Sequence, residues 1–249
     1  MDRLNGKMIV VTGAASGIGR ATAIRIASEG ATVACLDLAA DAAEKTAAEI
    51  SEAGGQARAW PLDVSDESSV EAVVGQVTSE LGAVDGLCNI AGIGTFAHTT
   101  EMGKAEWDKI LAVNVTGTFL MCRAVLPQLL EHGGAIVNTA STAGVFGQPY
   151  SAAYGASKGA VISLTKSLAY EYIRRGVRVN AVAPGGIETP IHGSFGFPEG
   201  ADPKLFYKLS SPMGFGQPEE VAGLFAYLTS DEARYITGAL FTIDGGITC

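Results

Sequence analysis

Neither a paired-cysteine motif nor a basic run occurs in this chain. Its four cysteines, Cys35, Cys88, Cys122 and Cys249, are scattered and form no CxxC pair. Reduced thiols at core or helix positions are the expectation, and a disulfide scaffold is not. Histidine is scarcer still. His98, His132 and His192 stand alone, so no cluster has the spacing of a zinc site and no metal is expected. Charged residues make up only 17% of the chain, and 17 Lys and Arg against 26 Asp and Glu leave a net charge of −9. That balance repels nucleic acid and anionic membranes, and neither is expected as a partner. No run approaches the ~18 uninterrupted apolar residues of a membrane span. The first seven residues hold Asp2, Arg3 and Lys7 instead of the layout of a cleaved signal, so a cytoplasmic protein is expected.

Apolar residues are plentiful, at 47%. Such a composition suits a parallel sheet covered on both faces and leaves room for a subunit interface. Short β-branched runs alternate with longer runs of helical spacing. Strands are expected at Met8–Thr12, Thr32–Asp37, 57–62, 84–89, 135–140, 177–182 and 239–243. Helices are expected at 17–29, 40–53, 66–81, 104–131, 154–175 and Pro218–Thr229. Pro127 should bend or weaken its helix, and Asn114 and Gly117 interrupt the same run. Residues 185–216, rich in Gly, Pro and Phe, read as a substrate loop or lid. The alternation implies right-handed βαβ units in one domain spanning 1–249. The expected architecture is α/β: a Rossmann-type doubly wound sheet of about seven mostly parallel strands, with helices on both faces. Ligands of such sheets sit at the C-terminal ends of the strands, where every motif below falls.

The first motif is a glycine-rich turn, Thr12-Gly13-Ala14-Ala15-Ser16-Gly17-Ile18-Gly19, between the first strand and the first helix. Glycines let backbone amides approach a pyrophosphate, and the helix N-terminus adds partial positive charge. Asp37 ends the second strand, where a carboxylate accepts hydrogen bonds from an adenosine ribose. A 2′-phosphate would meet like charge there, and no Arg or Lys follows closely. NAD is therefore expected ahead of NADP.

The second motif is Tyr154 and Lys158, four apart on a helix and so on one face. A free phenol has a pKa near ~10, too high for a base at neutral pH. A nearby ammonium should lower it, so that Tyr154 takes or returns a hydroxyl proton as hydride moves. Ser141 follows a strand and could polarise the substrate oxygen beside the tyrosine. Asn114, in mid-helix, could hold a water or a carbonyl. No histidine or acid lies near Ser141 in sequence, which argues against a hydrolytic triad.

Together these residues resemble the short-chain dehydrogenase/reductase family over essentially the whole chain. The resemblance rests on residues 12–19, Asp63-Val64, Asn89-Ile90-Ala91-Gly92, Asn114, Ser141, Tyr154-Gly155-Ala156-Ser157-Lys158 and Pro184-Gly185 through Thr189. It implies that Asp63 and Val64 contact the adenine. Asn89, Ala91 and Gly92 would support the central sheet and the cofactor. Lys158 would also bind the nicotinamide ribose, Asn114 would anchor a water that relays protons to it, and Ile187 and Thr189 would hold the carboxamide. Ile90 departs from the family's usual second asparagine. The resemblance also implies a homotetramer, and the small residues Ala152, Ala153, Gly155, Ala156, Gly159 and Ala160 would permit close helix approach.

The expected pocket wall comes from 93–98, 142–150 and 185–215, with Phe96, Gln148, Tyr150, His192 and Phe195 as candidate substrate residues. Such a lining suits an apolar, neutral alcohol or ketone of small to medium size. A rival reading is a 3-oxoacyl-thioester (acyl-carrier-protein) reductase. Relatives of that type carry arginines on two long helices, where Pro127 and Tyr170 stand here, and like charge disfavours docking of an acidic carrier. A third reading, of another class, is a dinucleotide-binding regulator without turnover; the intact Ser141, Tyr154 and Lys158 argue against it.

Overall fold

The computed structural model describes residues 2–249, except the side chains of His192, Ser194 and Lys208. Seven strands form one parallel sheet in the order β3-β2-β1-β4-β5-β6-β7. They are β1 (Met8–Thr12), β2 (Thr32–Asp37), β3 (Gln56–Pro61), β4 (Gly86–Asn89), β5 (Gly134–Thr139), β6 (Val177–Pro184) and β7 (Leu240–Ile243). Helices α1 (Gly17–Ser28), α2 (Ala40–Glu52) and α7 (Pro218–Thr229) cover one face. Helices α3 (Glu67–Leu81), α5 (Thr118–His132) and α6 (Ala152–Tyr172) cover the other.

The central strands are apolar at consecutive positions because both faces are buried. In β1, Met8 and Val10 pack under α3 and α5, while Ile9 and Val11 pack under α1 and α7. Side chains alternate across a strand, so one run serves two cores. Cys35, Cys88 and Cys122 are buried free thiols, and burial pushes Cys35 and Cys122 up to about 12. The strand order reverses between β1 and β4. Crossovers leave this point in opposite directions, which opens a cleft above the strand ends.

Three expectations need correction. The helical run of residues 104–132 is not uniform. It consists of α4 (Lys104–Leu111), a π-helical segment at Ala112–Gly117, and α5. Pro127, expected to bend or weaken its helix, lies inside α5, which continues past it to His132 although a proline there donates no helical hydrogen bond and crowds the preceding turn. By length and composition this run could cross a bilayer, but half of its most apolar window is buried within the fold. β6 runs on to Pro184, two residues past expectation, and so reaches the cleft.

Residues 185–216 contain two 3₁₀ segments, Pro190–Ser194 and Pro203–Leu209. The excursion starts and ends at one place. Gly216 N donates to Gly186 O and Glu188 N donates to Gly216 O, both at 2.9 Å.

Phe225 on α7 is fully buried in the core under α1. Phe225→Ala should cost about 3–5 kcal/mol, read as a lower urea midpoint with an unchanged m-value.

Candidate active site

The cleft at the strand reversal holds a cavity of about 1010 Å³. Gly13, Ser16, Gly17, Ile18 and Gly19 line one part of it. Gly13 and Gly17 have φ of +71° and +51°, the left-handed region that glycine tolerates. A Cβ on Gly19 would fall 1.9 Å from Gly13 O, and one on Gly13 would fall 2.9 Å from Ala91 N. The turn therefore closes only with glycine at both places. Ser16 caps α1 with extended backbone and makes no side-chain capping hydrogen bond. The first amides of α1 are thus oriented towards the cleft without a side chain across them, as a pyrophosphate requires.

Asp37 lines the same cavity and is held from both sides. Its Oδ2 accepts from Ala15 N at 3.0 Å and its Oδ1 from Ala39 N at 2.9 Å. Asp63, Val64, Ala91 and Gly92 line the cavity too, as do Pro184, Gly185, Ile187 and Thr189. The donors, the acidic residue and the apolar walls fit a dinucleotide laid across the strand ends.

Asn89 does not line it. Asn89 is buried and ties strands together: Nδ2 donates to Asn138 Oδ1 at 2.9 Å, and its carbonyl accepts from Thr139 Oγ1 at 2.6 Å. Its place is in the sheet, not against the cofactor cavity. Thr12, inside the glycine-rich motif but assigned no role of its own there, accepts from the amides of Ile90 and Ala91 at 3.0 and 3.1 Å and fixes the turn beside the cleft.

Ser141, Tyr154 and Lys158 meet at the other end of the cavity. The Ser141 hydroxyl hydrogen-bonds the Tyr154 phenol and accepts from Ala143 N at 3.1 Å. Lys158 is buried, its ammonium donates to Thr139 O at 2.8 Å, and it lies 5.7 Å from the Tyr154 ring centre. Burial lowers Lys158 to about 8. Burial also raises the Tyr154 phenol, with the Ser141 hydrogen bond opposing that rise. The expected lowering of the phenol by a nearby ammonium does not prevail in the bare protein: desolvation raises the phenol, and what opposes that rise is Ser141.

Asn114 lies in the π-helical segment, with its side chain behind the cavity wall. Its Oδ1 accepts from Ile93 N at 2.9 Å, and its Nδ2 donates to Ile93 O at 2.8 Å and to Ser157 Oγ at 3.0 Å. The amide clamps residue 93 to α6. A Cβ on Gly92 would lie 3.2 Å from Asn114 Oδ1 and 3.4 Å from Lys158 Nζ, so both groups converge on Gly92.

Of the small residues at the start of α6, Gly155 serves the chain's own packing, while Ala152 and Ala156 are exposed. A Cβ on Gly155 would lie 3.0 Å from Ala143 O, and one on Gly144 would lie 2.6 Å from the Lys158 carbonyl carbon. Close approach is thus to the 3₁₀ turn Thr142–Gly144 after Ser141. Of the substrate candidates, Phe96, Gln148 and Phe195 line the cavity. Tyr150 does not; it stacks behind Phe206, a lining residue from the expected wall segment 185–215. The side chain of His192 lies outside the described residues. Gly94 was also missed: a Cβ there would lie 2.5 Å from Phe195 Cζ and 2.8 Å from Tyr154 Cδ2.

Residues 13–248 match the family model described as "Enoyl-(Acyl carrier protein) reductase". The chain is 42% identical to a 2-(S)-hydroxypropyl-CoM dehydrogenase of Xanthobacter autotrophicus, over 99% of this chain and 98% of that one. It is 44% identical to a D-threitol dehydrogenase of Mycolicibacterium smegmatis, over 99% and 94%. The crystal structure of a 3-ketoacyl-(acyl-carrier-protein) reductase from Brucella melitensis, complexed with NADH, superposes with a TM-score of 0.90 at 38% identity, covering 99% of this chain and 100% of that one. With that breadth of match, the chain belongs to the short-chain dehydrogenase/reductase family. It is a nicotinamide-dinucleotide oxidoreductase acting on CH–OH groups.

Two outcomes test this geometry. Gly19→Ala should abolish dinucleotide binding, measured by calorimetry, while far-UV circular dichroism stays unchanged, since the added methyl meets backbone at the turn. The second concerns Lys158, whose amine falls from 10.5 in the unfolded chain to about 8 in the folded one. Between those values the unfolded chain binds the extra proton, so stability rises with pH there. Wild type should gain stability relative to Lys158→Met across that window, read by urea denaturation at successive pH values.

Proposed function

We propose that this enzyme prefers NAD and interconverts a neutral, apolar secondary alcohol and its ketone, with Tyr154 as general acid/base. The carrying observation is the convergence of Ser141, Tyr154 and Lys158 on one end of a dinucleotide-sized cavity. When bound, the dinucleotide accepts or donates the hydride and, oxidised, adds positive charge beside the phenol. The chain's own groups do the rest. Ser141 Oγ holds the substrate oxygen beside the phenol. Tyr154 Oη takes the hydroxyl proton in oxidation and returns it in reduction. Lys158 Nζ, fixed by Thr139 O, favours the phenolate once protonated and reaches the nicotinamide ribose. Asn114 acts through position: its clamp on Ile93 and Ser157 keeps Lys158 and Gly92 in register, and its backbone anchors the proton-relay water.

The neutral substrate follows from the cavity wall. Among the described residues, the lysines and arginines lining the cavity are Lys109 and Lys158 only, and rings dominate the substrate end. A charged substituent would lose hydration there without a partner. Asp37, held by two amides, supports NAD because a 2′-phosphate would meet its charge. Residues 185–216, pinned at their base, act as the lid over the substrate. The exposed Phe119 on α5, Tyr170 on α6 and Ile173 just past α6 support assembly into a homotetramer, which we place in the cytoplasm. The thioester-reductase reading keeps support from the family model's description and from the likeness to the Brucella reductase. The exposed Pro127 and Tyr170 and the net charge of −9 weigh against a carrier-protein dock.

Tyr154→Phe should lower kcat for alcohol oxidation by about 10²–10⁴ with dinucleotide affinity retained. In wild type, oxidation should accelerate and reduction slow as pH rises towards the raised phenol pKa. kcat/KM with NAD should exceed that with NADP by at least about tenfold, and Asp37→Ser should erase the difference. Equal values in wild type would remove the role given to Asp37.

A further inference from the structure

The substrate end of the cavity is walled by rings that touch in series. Phe195 meets the Tyr154 ring edge-on, with centres 5.3 Å apart. Phe195 lies 4.8 Å from Phe96, and Phe96 lies 5.5 Å from Phe206. Behind Phe206, and outside the cavity lining, Tyr150 stacks on it at 5.5 Å with an interplanar angle of 19°.

Tyr150 is fixed on every side. It has a φ of +58°, the only positive value of a non-glycine residue among the described residues. Such backbone is strained for a residue with a Cβ and persists only where its surroundings hold it. Its carbonyl accepts from Ala97 N at 2.8 Å, and its phenol oxygen accepts from Asp202 N at 2.9 Å. Its ring meets His98 edge-on at 5.0 Å, and His98 Nε2 lies 2.9 Å from Glu199 O. One residue thus joins the three segments around the substrate end, those of Phe96, Tyr150 and Phe206.

We propose that Tyr150 is a positioning residue that sets substrate specificity: by holding Phe206 it fixes an aromatic wall that selects secondary alcohols bearing an uncharged ring beside the carbinol carbon. This rests on the alcohol–ketone reading above. Aromatic walls favour edge-to-face and offset contacts, which a ring-bearing substrate can satisfy and a linear chain cannot. A rigid ring also loses less conformational freedom on binding than a flexible chain. The Tyr150 phenol is engaged by Asp202 N, so its part is mechanical, not proton transfer.

The test is NAD-dependent oxidation of 1-phenylethanol, 1-cyclohexylethanol and 2-hexanol by wild type, Tyr150→Phe, Tyr150→Leu, Tyr150→Gly and Phe206→Leu, with Tm recorded for each. Wild type should favour the two ring-bearing alcohols over 2-hexanol by at least about tenfold in kcat/KM. Tyr150→Leu should raise KM for the ring-bearing pair about tenfold, with kcat and the 2-hexanol constants within about threefold of wild type, and Phe206→Leu should lose the ring preference too. Tyr150→Phe keeps the stacked ring and should recover most of the ring preference. Tyr150→Gly relieves the backbone strain while deleting the ring, so it should fold and still lose the preference. Equal losses on ring-bearing and linear alcohols, or a wild type without ring preference, would overturn the wall while leaving the alcohol–ketone reading intact. Absence of turnover on all three alcohols, with NAD still bound, would overturn both readings.

Discussion

A lysine amine taken out of water and held by one backbone carbonyl organises this molecule's chemistry. Lys158 donates to Thr139 O, Thr139 donates through its hydroxyl to Asn89 O, and Asn89 binds Asn138. These bonds run across the ends of β4 and β5, beside an apolar core. Buried polar groups must be satisfied, and each of these finds its partner on a neighbouring strand or helix. The amine, the phenol and the glycine-rich turn are therefore fixed relative to one another by the sheet.

The same burial explains the electrostatics. Desolvation lowers Lys158 to about 8 and raises Tyr154. Both shifts favour neutral forms in the bare protein, which brings the lysine close to physiological pH. A pair poised in this way responds to any charge that enters the cavity. The cost of holding it is borne by two cores that share the central strands, with β1 supplying Met8 and Val10 to one and Ile9 and Val11 to the other. The π-helical segment around Asn114 departs from regular helix so that one amide can reach both Ile93 and Ser157. Such insertions in helices are frequent at functional sites.

Much of this was legible from residue order. Alternating β-branched and helical runs mark seven strands, and glycine spacing marks the turn after β1, because both are local consequences of backbone geometry. Asn114 stood out as an irregularity in a helical run, although its π-helical form did not. The residues that escaped notice share a reason. Thr139 and Gly94 act through partners 19 and 60 residues away, Lys158 and Tyr154. Nothing local distinguishes such a threonine from a strand former or such a glycine from a loop residue. Tyr150 was read as a pocket residue because it is aromatic and lies in the expected wall segment 142–150; its left-handed backbone places it behind Phe206 instead.

The sequence by itself determined the doubly wound class, the dinucleotide turn, the carboxylate at the end of β2 and the pairing of Tyr154 with Lys158 four residues on. Each depends on spacing along one strand, turn or helix. The tertiary structure alone decided which way the phenol and amine titrate, that Asn89 stands outside the cavity lining, and which rings line the cavity. Those outcomes are set by desolvation and by contacts between segments distant in the chain, and neither quantity exists until the chain has folded.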